Sequence, residues 1–180
     1  MNGQLIYVTG GCRSGKSAHA LALAETLPGR RAYLATCPVI DGEMDRRIAR
    51  HRAERAGRGW ETLEAPVELA AAVSAAQGFD VLLIDCLTLW VNNLFYQAER
   101  QGEALTEAQI AEKTVELVDA CAKFTGSVIL VSNEVGMGLV PADPVSRNYR
   151  DCLGRCNQIV ARSCDRAYFL VSGLALPLRP

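Results

Sequence analysis

Long apolar runs, an excess of charge of one sign and paired cysteines are all missing from these 180 residues. No apolar run reaches the ~18 residues that a transmembrane helix needs, so we expect no stable membrane insertion. The net charge of -1 leaves no basic footprint of the kind that nucleic-acid-binding domains carry. Membrane-spanning and nucleic-acid-binding functions are therefore disfavoured. Hydrophobic residues make up 49% of the chain, which is typical of a globular domain.

The seven cysteines form no C-x-x-C pair with zinc spacing, and no signal peptide is recognisable. They are Cys12, Cys37, Cys86, Cys121, Cys152, Cys156 and Cys164. An odd number of scattered cysteines is typical of reduced, mostly buried thiols, so we expect a cytoplasmic protein. Cys152 and Cys156 lie four apart on a predicted helix, which favours two packed thiols over half of a metal site.

Residues 10–17 fit the pattern G-x-x-x-x-G-K-[ST] of a phosphate-binding loop. An apolar, β-rich run precedes the loop and a helix-prone run follows it, as the pattern requires. Backbone amides and the helix N-terminus would hold phosphate oxygens, Lys16 would reach the β- and γ-phosphates, and the Ser17 hydroxyl would ligate Mg²⁺. The predicted nucleotide-binding residues here are Gly10, Gly11, Cys12, Arg13, Ser14, Gly15, Lys16 and Ser17.

Alternating strand and helix patterns predict one α/β domain over residues 1–180, a P-loop NTPase with a mainly parallel sheet flanked by helices. Strands are predicted at 4–9, 31–35, 60–64, 81–85, 127–132 and 167–171, with 174–178 as a further edge. Helices are predicted at 16–27, 41–55, 66–77, 87–101, 106–124 and 144–164, and Thr106, with Gln109 three residues on, is expected to cap the start of helix 106–124. Residues 81–85 form a continuous apolar run, which is typical of a parallel strand buried on both faces.

Asp85 ends that apolar run and fits the second nucleotide motif of phosphate-loop proteins. Such a carboxylate can hold Mg²⁺, or its water, beside Ser17. The alternative is a turn-initiating aspartate, which many strands carry. Thr36 and Cys37 follow strand 31–35 and should face the same strand-end crevice.

The predicted helix 41–55 is rich in arginine and contains one of the two histidines, His51. Arg47 and Arg55 lie four residues either side of it, and nearby cations favour a neutral imidazole. A neutral imidazole among phosphate-binding groups suits nucleophilic attack on phosphorus. Spacing alone, however, favours a solvated basic helix with an incidental histidine. The other histidine, His19, is expected to pack or to be solvated.

The loop after strand 127–132 carries Glu134, followed by Gly136 and Gly138, at the edge where α/β proteins bind ligands. A plain surface loop with a solvated acid is the alternative. The guanine-reading motif Asn-Lys-x-Asp is absent, so these patterns do not fix the base of the nucleotide.

Several blocks along nearly the whole chain resemble the bifunctional adenosylcobinamide kinase / adenosylcobinamide-phosphate guanylyltransferase family of cobalamin biosynthesis. The most specific blocks are Glu134–Gly138 and Arg150-Asp151-x-x-Gly154-x-x-Asn157-Gln158. Others are 9–17, His51-Arg52-x-x-Arg55, Trp60-x-Thr62-x-Glu64, Asp85–Trp90 with Asn93, and 171–174. Two departures are Cys12, where a smaller residue is common, and one extra residue before Trp60.

The resemblance implies a RecA-like fold, a homotrimer and two reactions. ATP or GTP phosphorylates adenosylcobinamide, and GMP then passes from GTP through an enzyme histidine to adenosylcobinamide phosphate. It implies that His51 is this histidine, which reverses the interpretation from spacing. It also assigns nucleotide contacts to Ala35, Thr36, Cys37, Arg52, Ala53, Glu54, Arg55, Glu64 and Asp85. The rival hypotheses are a simple small-molecule kinase, in which His51 is idle, and a non-enzymatic nucleotide-gated module.

Overall fold

A computed structural model describes residues 3–37, 49, 53 and 55–180 of the chain. Most of the predicted helix 41–55 therefore lies outside the described residues. Within the described part the chain forms seven strands and five helices. The strands are β1 (Leu5–Gly10), β2 (Arg31–Ala35), β3 (Trp60–Glu64), β4 (Val81–Asp85), β5 (Ser127–Asn133), β6 (Arg166–Val171) and β7 (Leu174–Arg179). The helices are α1 (Lys16–Thr26), α2 (Leu69–Ala75), α3 (Leu87–Arg100), α4 (Glu107–Lys123) and α5 (Pro144–Ser163).

The strands form a single sheet in the order β3-β2-β4-β5-β1-β6-β7. β1 to β6 pair in parallel, and only β7 joins in the antiparallel sense, along β6. The predicted mainly parallel α/β sheet is confirmed, including the edge strand at the C-terminus. Because the parallel strands share a direction, their carboxyl ends meet at one edge of the sheet, where ligands of such folds bind.

Both faces of the sheet are buried, as the apolar run at 81–85 predicts. Leu82 and Ile84 pack into one core with α2 to α5, whereas Val81 and Leu83 pack into another with α1. Each is 0–1% exposed, and burying such a side chain stabilises the fold by about 1.5–3 kcal/mol. Of the described helices, none is both long and apolar enough to cross a bilayer.

The helix ends follow local capping chemistry. Thr106 and Gln109 form the expected capping box at the start of α4, and the Asp143 carboxylate accepts a bond from the Ser146 amide at the start of α5. The prediction of a helix from 66 to 77 is too long, because α2 begins only at Leu69. The carbonyls of Pro66 and Val67 accept side-chain bonds from α3 instead, which draws them away from a helical turn.

Helix α5 reaches past the carboxyl edge of the sheet. Its Asn157 side chain donates to the carbonyl of Asn133, the last residue of β5, at 2.9 Å. Pro144 lies 13 residues earlier along the helix, roughly 20 Å at 1.5 Å per residue. The first part of α5 is therefore a wall beside the space above the strand ends. Cys152 and Cys156 are both buried free thiols on this helix, as the spacing predicts.

Candidate nucleotide-binding site

The phosphate loop connects β1 to α1 in the conformation that the motif requires. Gly15 stands at the N-cap of α1 with φ 93°, a left-handed conformation that favours glycine. Having no side chain, it leaves the first amides of α1 open for an anion. The Lys16 ammonium donates to the Gly11 carbonyl at 2.9 Å, which closes the loop over its own backbone. The buried Ser14 hydroxyl finds no hydrogen-bond partner within the described part of the chain, as expected of a cradle built for a ligand.

The turn between β6 and β7 braces this loop from outside. The Gly173 amide donates to the Ser14 carbonyl at 2.9 Å. A Cβ at Gly15 would lie 3.2 Å from the Gly173 Cα, so the two backbones touch directly. This contact gives a physical reason for the glycine in the block at 171–174, which the sequence linked to the site only by resemblance.

Most of the other predicted nucleotide-binding residues lie along the same sheet edge. In the sheet, Ala35 of β2 lies between Glu64 of β3 and Asp85 of β4, and Gly10 of β1 lies beside Asn133 of β5. At about 4.8 Å per strand, Asp85 lies two strands, roughly 10 Å, across the sheet from Val8, two residues before Gly10, and Glu64 lies four strands, roughly 19 Å, from the same position. The structure thus places Asp85 near the phosphate loop, and we call residues 10–17 together with Asp85 the phosphate corner. Glu64 lies two strands beyond Asp85.

A buried tyrosine lies beside Asp85. Burial, together with the negative charge of the Asp85 carboxylate, raises the pKa of Tyr33 well above its usual value. The guanidinium carbon of Arg55 lies 3.4 Å from the centre of the Tyr33 ring, and Arg55 is only 4% exposed. Tyr33 therefore joins the strand-end acid to Arg55, a predicted nucleotide contact.

The Lys16 charge also acts on this corner. Burial raises the pKa of the adjacent Cys86 thiol to about 12, and the Asp85 charge adds to that effect, whereas Lys16 opposes it. The ammonium of the phosphate loop and the end of β4 are thus electrostatic neighbours. At this pKa the thiol stays protonated near neutral pH, which excludes Cys86 as a thiolate nucleophile there.

A group of hydrogen bonds made by Thr36 and Asn93, which we call the bracket, fixes the chain after β2. The Thr36 hydroxyl donates to the Cys86 carbonyl and accepts from the Cys86 amide, both at 2.8 Å. Asn93 on α3 donates to the carbonyls of Thr36 and Pro66, each at 2.8 Å. Three separate loops at the strand ends are therefore tied together. Sequence reasoning placed Thr36 at the strand ends from its position and named Asn93 by resemblance, but it missed Tyr33, since a strand-centre tyrosine carries no local signal.

The remaining predicted site residues divide into three groups. Cys12 is exposed, and Ala53 is helical and exposed, so neither side chain fills the cradle. Glu134 folds back on its own loop, where its carboxylate accepts bonds from the amides of Gly136 and Met137 at 2.6 and 3.1 Å. His51, Arg52 and Glu54 lie outside the described residues.

The donors available for a metal are hard oxygens. Across the described ranges, no three His, Cys, Asp or Glu side chains gather as a metal cluster would require. The Ser17 hydroxyl and the Asp85 carboxylate suit Mg²⁺, which takes few protein ligands and completes its shell with water and phosphate oxygens. These two residues fit such an ion.

Comparison with solved structures supports the fold. The KaiC-like protein PH0186 from the hyperthermophilic archaeon Pyrococcus horikoshii superposes with a TM-score of 0.51 at 14% identity, over 93% of this chain and 71% of that one. The glycine loop, its lysine and the strand-end acid on this sheet define a P-loop nucleotide-binding α/β protein.

Comparison with known sequences identifies the family. The family model "Cobinamide kinase / cobinamide phosphate guanyltransferase" matches residues 6–178. The chain is 42% identical to the bifunctional adenosylcobalamin biosynthesis protein CobP of Pseudomonas aeruginosa, over 96% of this chain and 95% of that protein. It is 37% identical to the protein named CobU from Salmonella typhimurium, over 97% and 99%. The chain belongs to the cobinamide kinase / cobinamide phosphate guanyltransferase family, which confirms the resemblance.

Proposed function

We propose that this protein phosphorylates adenosylcobinamide and then transfers GMP to the product, giving adenosylcobinamide-GDP. The observation that carries the proposal is the phosphate loop, with Gly15 at the helix N-cap and Lys16 folded over the loop, in a chain that matches the family from residue 6 to 178. A simple kinase with the same loop is the alternative, and the family assignment does not favour it.

In the first step the substrate hydroxyl attacks the γ-phosphorus of ATP or GTP. A new P–O bond forms, the bond to the β-phosphate oxygen breaks, and the hydroxyl loses its proton. Lys16 and the loop amides stabilise the charge that develops on the phosphate oxygens. The Ser17 hydroxyl and the Asp85 carboxylate would hold Mg²⁺, which would supply further neutralisation of phosphate charge. The Tyr33 hydroxyl lies beside the Asp85 carboxylate.

In the second step the imidazole of His51 attacks the α-phosphorus of GTP and pyrophosphate leaves. A phosphate oxygen of adenosylcobinamide phosphate then attacks the phosphorus and breaks the P–N bond, which returns the free imidazole. Two displacements replace one difficult transfer, so a covalent histidine–GMP adduct forms between them. Arg55 stacked on Tyr33 supports this role, because it anchors the chain four residues after His51 beside Asp85.

We also propose a cytoplasmic location and a homotrimer. All seven cysteines are free thiols, which suits a reducing compartment. Strand β7 exposes Leu174, Leu176 and Leu178 by 76%, 58% and 59%. An exposed apolar edge strand of this kind is a surface for subunit contact. Light scattering of the purified protein tests the trimer directly.

The decisive experiment is incubation with α-³²P-GTP and Mg²⁺, followed by mass spectrometry that maps the adduct. We expect an acid-labile, base-stable label on His51 that adenosylcobinamide phosphate removes. His51→Ala should lose the label and largely keep the kinase step. The matched control is His19→Ala, which removes the other histidine and should keep the label.

Three outcomes would contradict parts of this proposal. A folded wild-type protein that takes no label would favour the simple kinase. Background turnover of ATP and GTP in the presence of adenosylcobinamide would favour the nucleotide-gated module. Equal loss of both steps in a folded His51→Ala variant would refute the division of labour between His51 and the phosphate loop.

A further inference from the structure

A groove outside the phosphate corner has the properties of a second substrate site. It lies between the second half of α3, residues 102–105 and the start of α5, with a volume of about 840 Å³. This volume falls in the range of small-molecule pockets. Its apolar wall contains Phe95 and Tyr149, whose rings meet edge to face with centres 5.6 Å apart. Tyr96 and Val145 on the two rims are 61% and 69% exposed, so apolar surface is open to a ligand.

The carboxylates that line the groove disfavour a nucleotide as its occupant, and a nearby cation, the Arg100 guanidinium, stacks on the Tyr96 ring with its carbon 5.9 Å from the ring centre. The charged side chains that line it are Glu99 and Glu103. Within the described part of the chain neither carboxylate makes an ion pair. A triphosphate would be repelled by two carboxylates, whereas a cationic ligand with hydrogen-bond donors would be attracted.

The groove is also close to the strand ends. The Tyr149 hydroxyl donates to the Thr88 carbonyl at 3.0 Å, and the Thr88 hydroxyl accepts from the amide of Asn133 at 2.8 Å. Thr88 is the third residue after Asp85. The aromatic wall of the groove therefore stands directly on the edge of the sheet that carries the phosphate corner.

We infer that this groove binds the corrin ring of the cobinamide substrate, so that its hydroxyl-bearing arm reaches the phosphate corner. A cobalt(III) corrin with an alkyl ligand carries a net positive charge, has methyl-covered faces and is fringed with primary carboxamides. The aromatic wall matches the faces, and the carboxylates match the charge and the amide N–H donors. The inference rests on the proposed function and names the surface that holds its acceptor substrate.

Charge introduced on the rim tests the inference. Val145→Arg places a guanidinium where the cationic ring would lie, at an exposed position early in α5. We expect the KM for adenosylcobinamide to rise about tenfold or more, since like charges in contact repel strongly. Retention of adenosylcobinamide on ultrafiltration, followed by its visible absorbance, should fall in parallel. Guanylylation of the enzyme by GTP, which needs no corrinoid, should stay within about twofold.

Matched controls place the same changes elsewhere. Val115→Arg alters the exposed valine of α4, and should leave corrinoid retention unchanged. The double variant Glu99→Lys/Glu103→Lys should reproduce the loss of retention, whereas Glu112→Lys/Glu116→Lys, at two exposed glutamates of α4 that do not line the groove, should not. The double variants keep the test independent of any one side chain.

Two results would overturn the inference. Corrinoid retention equal to wild type in both Val145→Arg and Glu99→Lys/Glu103→Lys would remove the groove as the ring site. A smaller assembly for Val145→Arg than for Val115→Arg, with loss of guanylylation, would identify the groove as a subunit interface instead. Corrinoid retention by a wild-type protein that performs neither step would refute the proposed function, while the variants would still decide the role of the groove.

Discussion

The phosphate corner and the acidic groove stand on the same edge of the sheet but are built in opposite ways. The corner consists of backbone amides, an ammonium group and a glycine whose Cβ position is closed by Gly173. The groove consists of aromatic and apolar side chains with two carboxylates on its rim. One surface is shaped for an anion and braced by the turn between β6 and β7, and the other is open and complementary to a cationic amphipathic ring.

The contrast teaches that one fold can separate its two substrates by charge. Neither surface suits the ligand of the other, so binding of the nucleotide and of the corrinoid should fail independently. The link between the surfaces is physical: α3 carries Phe95 in the groove and Asn93 in the bracket around Thr36. Substitutions on each side, and on the link, can break or sharpen the comparison.

Lys16→Ala should have the largest effect. Removing the ammonium should lower both the kinase and the guanylylation rates by about 100-fold or more, since one phosphate cradle serves both steps. Corrinoid retention should be unaffected if the groove binds the ring separately. The control is Lys123→Ala in the last turn of α4, where the side chain is exposed. Unimpaired turnover in Lys16→Ala would refute the role of the loop. Loss of corrinoid retention in this variant would show that the two surfaces do not bind their ligands separately.

Asn93→Ala should weaken the bracket on α3 that connects the groove to the phosphate corner. It leaves the carbonyls of Thr36 and Pro66 without their donor, and because Thr36 is buried this should cost about 1–3 kcal/mol in the free energy of unfolding. Urea denaturation measures this change, and Gln97→Ala, on the exposed side of the same helix, is the control. If the bracket holds the two surfaces in register, the KM values for GTP and for adenosylcobinamide should both rise. An unchanged unfolding free energy would show that water replaces the amide.

Tyr33→Phe should affect the phosphate corner alone. It keeps a ring for Arg55 to stack on but removes the hydroxyl beside the Asp85 carboxylate. The carboxylate then loses a polar neighbour, so guanylylation should need several-fold more Mg²⁺, and excess Mg²⁺ should restore the rate. A Mg²⁺ titration with the label as readout measures this shift. An unchanged midpoint would mean that Asp85 does not hold the ion.

The sequence predicted what is local and repetitive. The phosphate loop, the buried strand β4 and the cap at Thr106 each follow from residues within a few positions of one another, and the structure confirms their geometry. The parallel sheet follows from the alternation of elements. The family resemblance is confirmed as well, since the matching blocks run along nearly the whole chain.

Contacts between distant segments could not be predicted from the sequence. Tyr33 meets Asp85 across 52 residues and Asn93 meets Thr36 across 57, and no pattern links such pairs. The start of α2 was misjudged for the same reason, because bonds from α3 decide it. The groove also escaped prediction, since its wall combines α3 with α5. The roles of His51, Arg52 and Glu54 remain predictions, as these residues lie outside the described part.

The smallest expected effect concerns His19, which packs edge to face on Tyr168 with ring centres 5.2 Å apart, behind the phosphate loop. Burial lowers its pKa below the usual value, so the folded state holds it neutral while the unfolded chain protonates it near pH 6.5. The folded state therefore loses stability as pH falls through about 6.5, because unfolding then takes up a proton. His19→Gln lacks this contribution, so its difference in unfolding free energy from wild type should narrow between about pH 8 and about pH 6. Binding in the groove should be unaffected, so corrinoid retention should stay constant over that pH range. A constant stability difference would show that solvent keeps the pKa of His19 near its usual value.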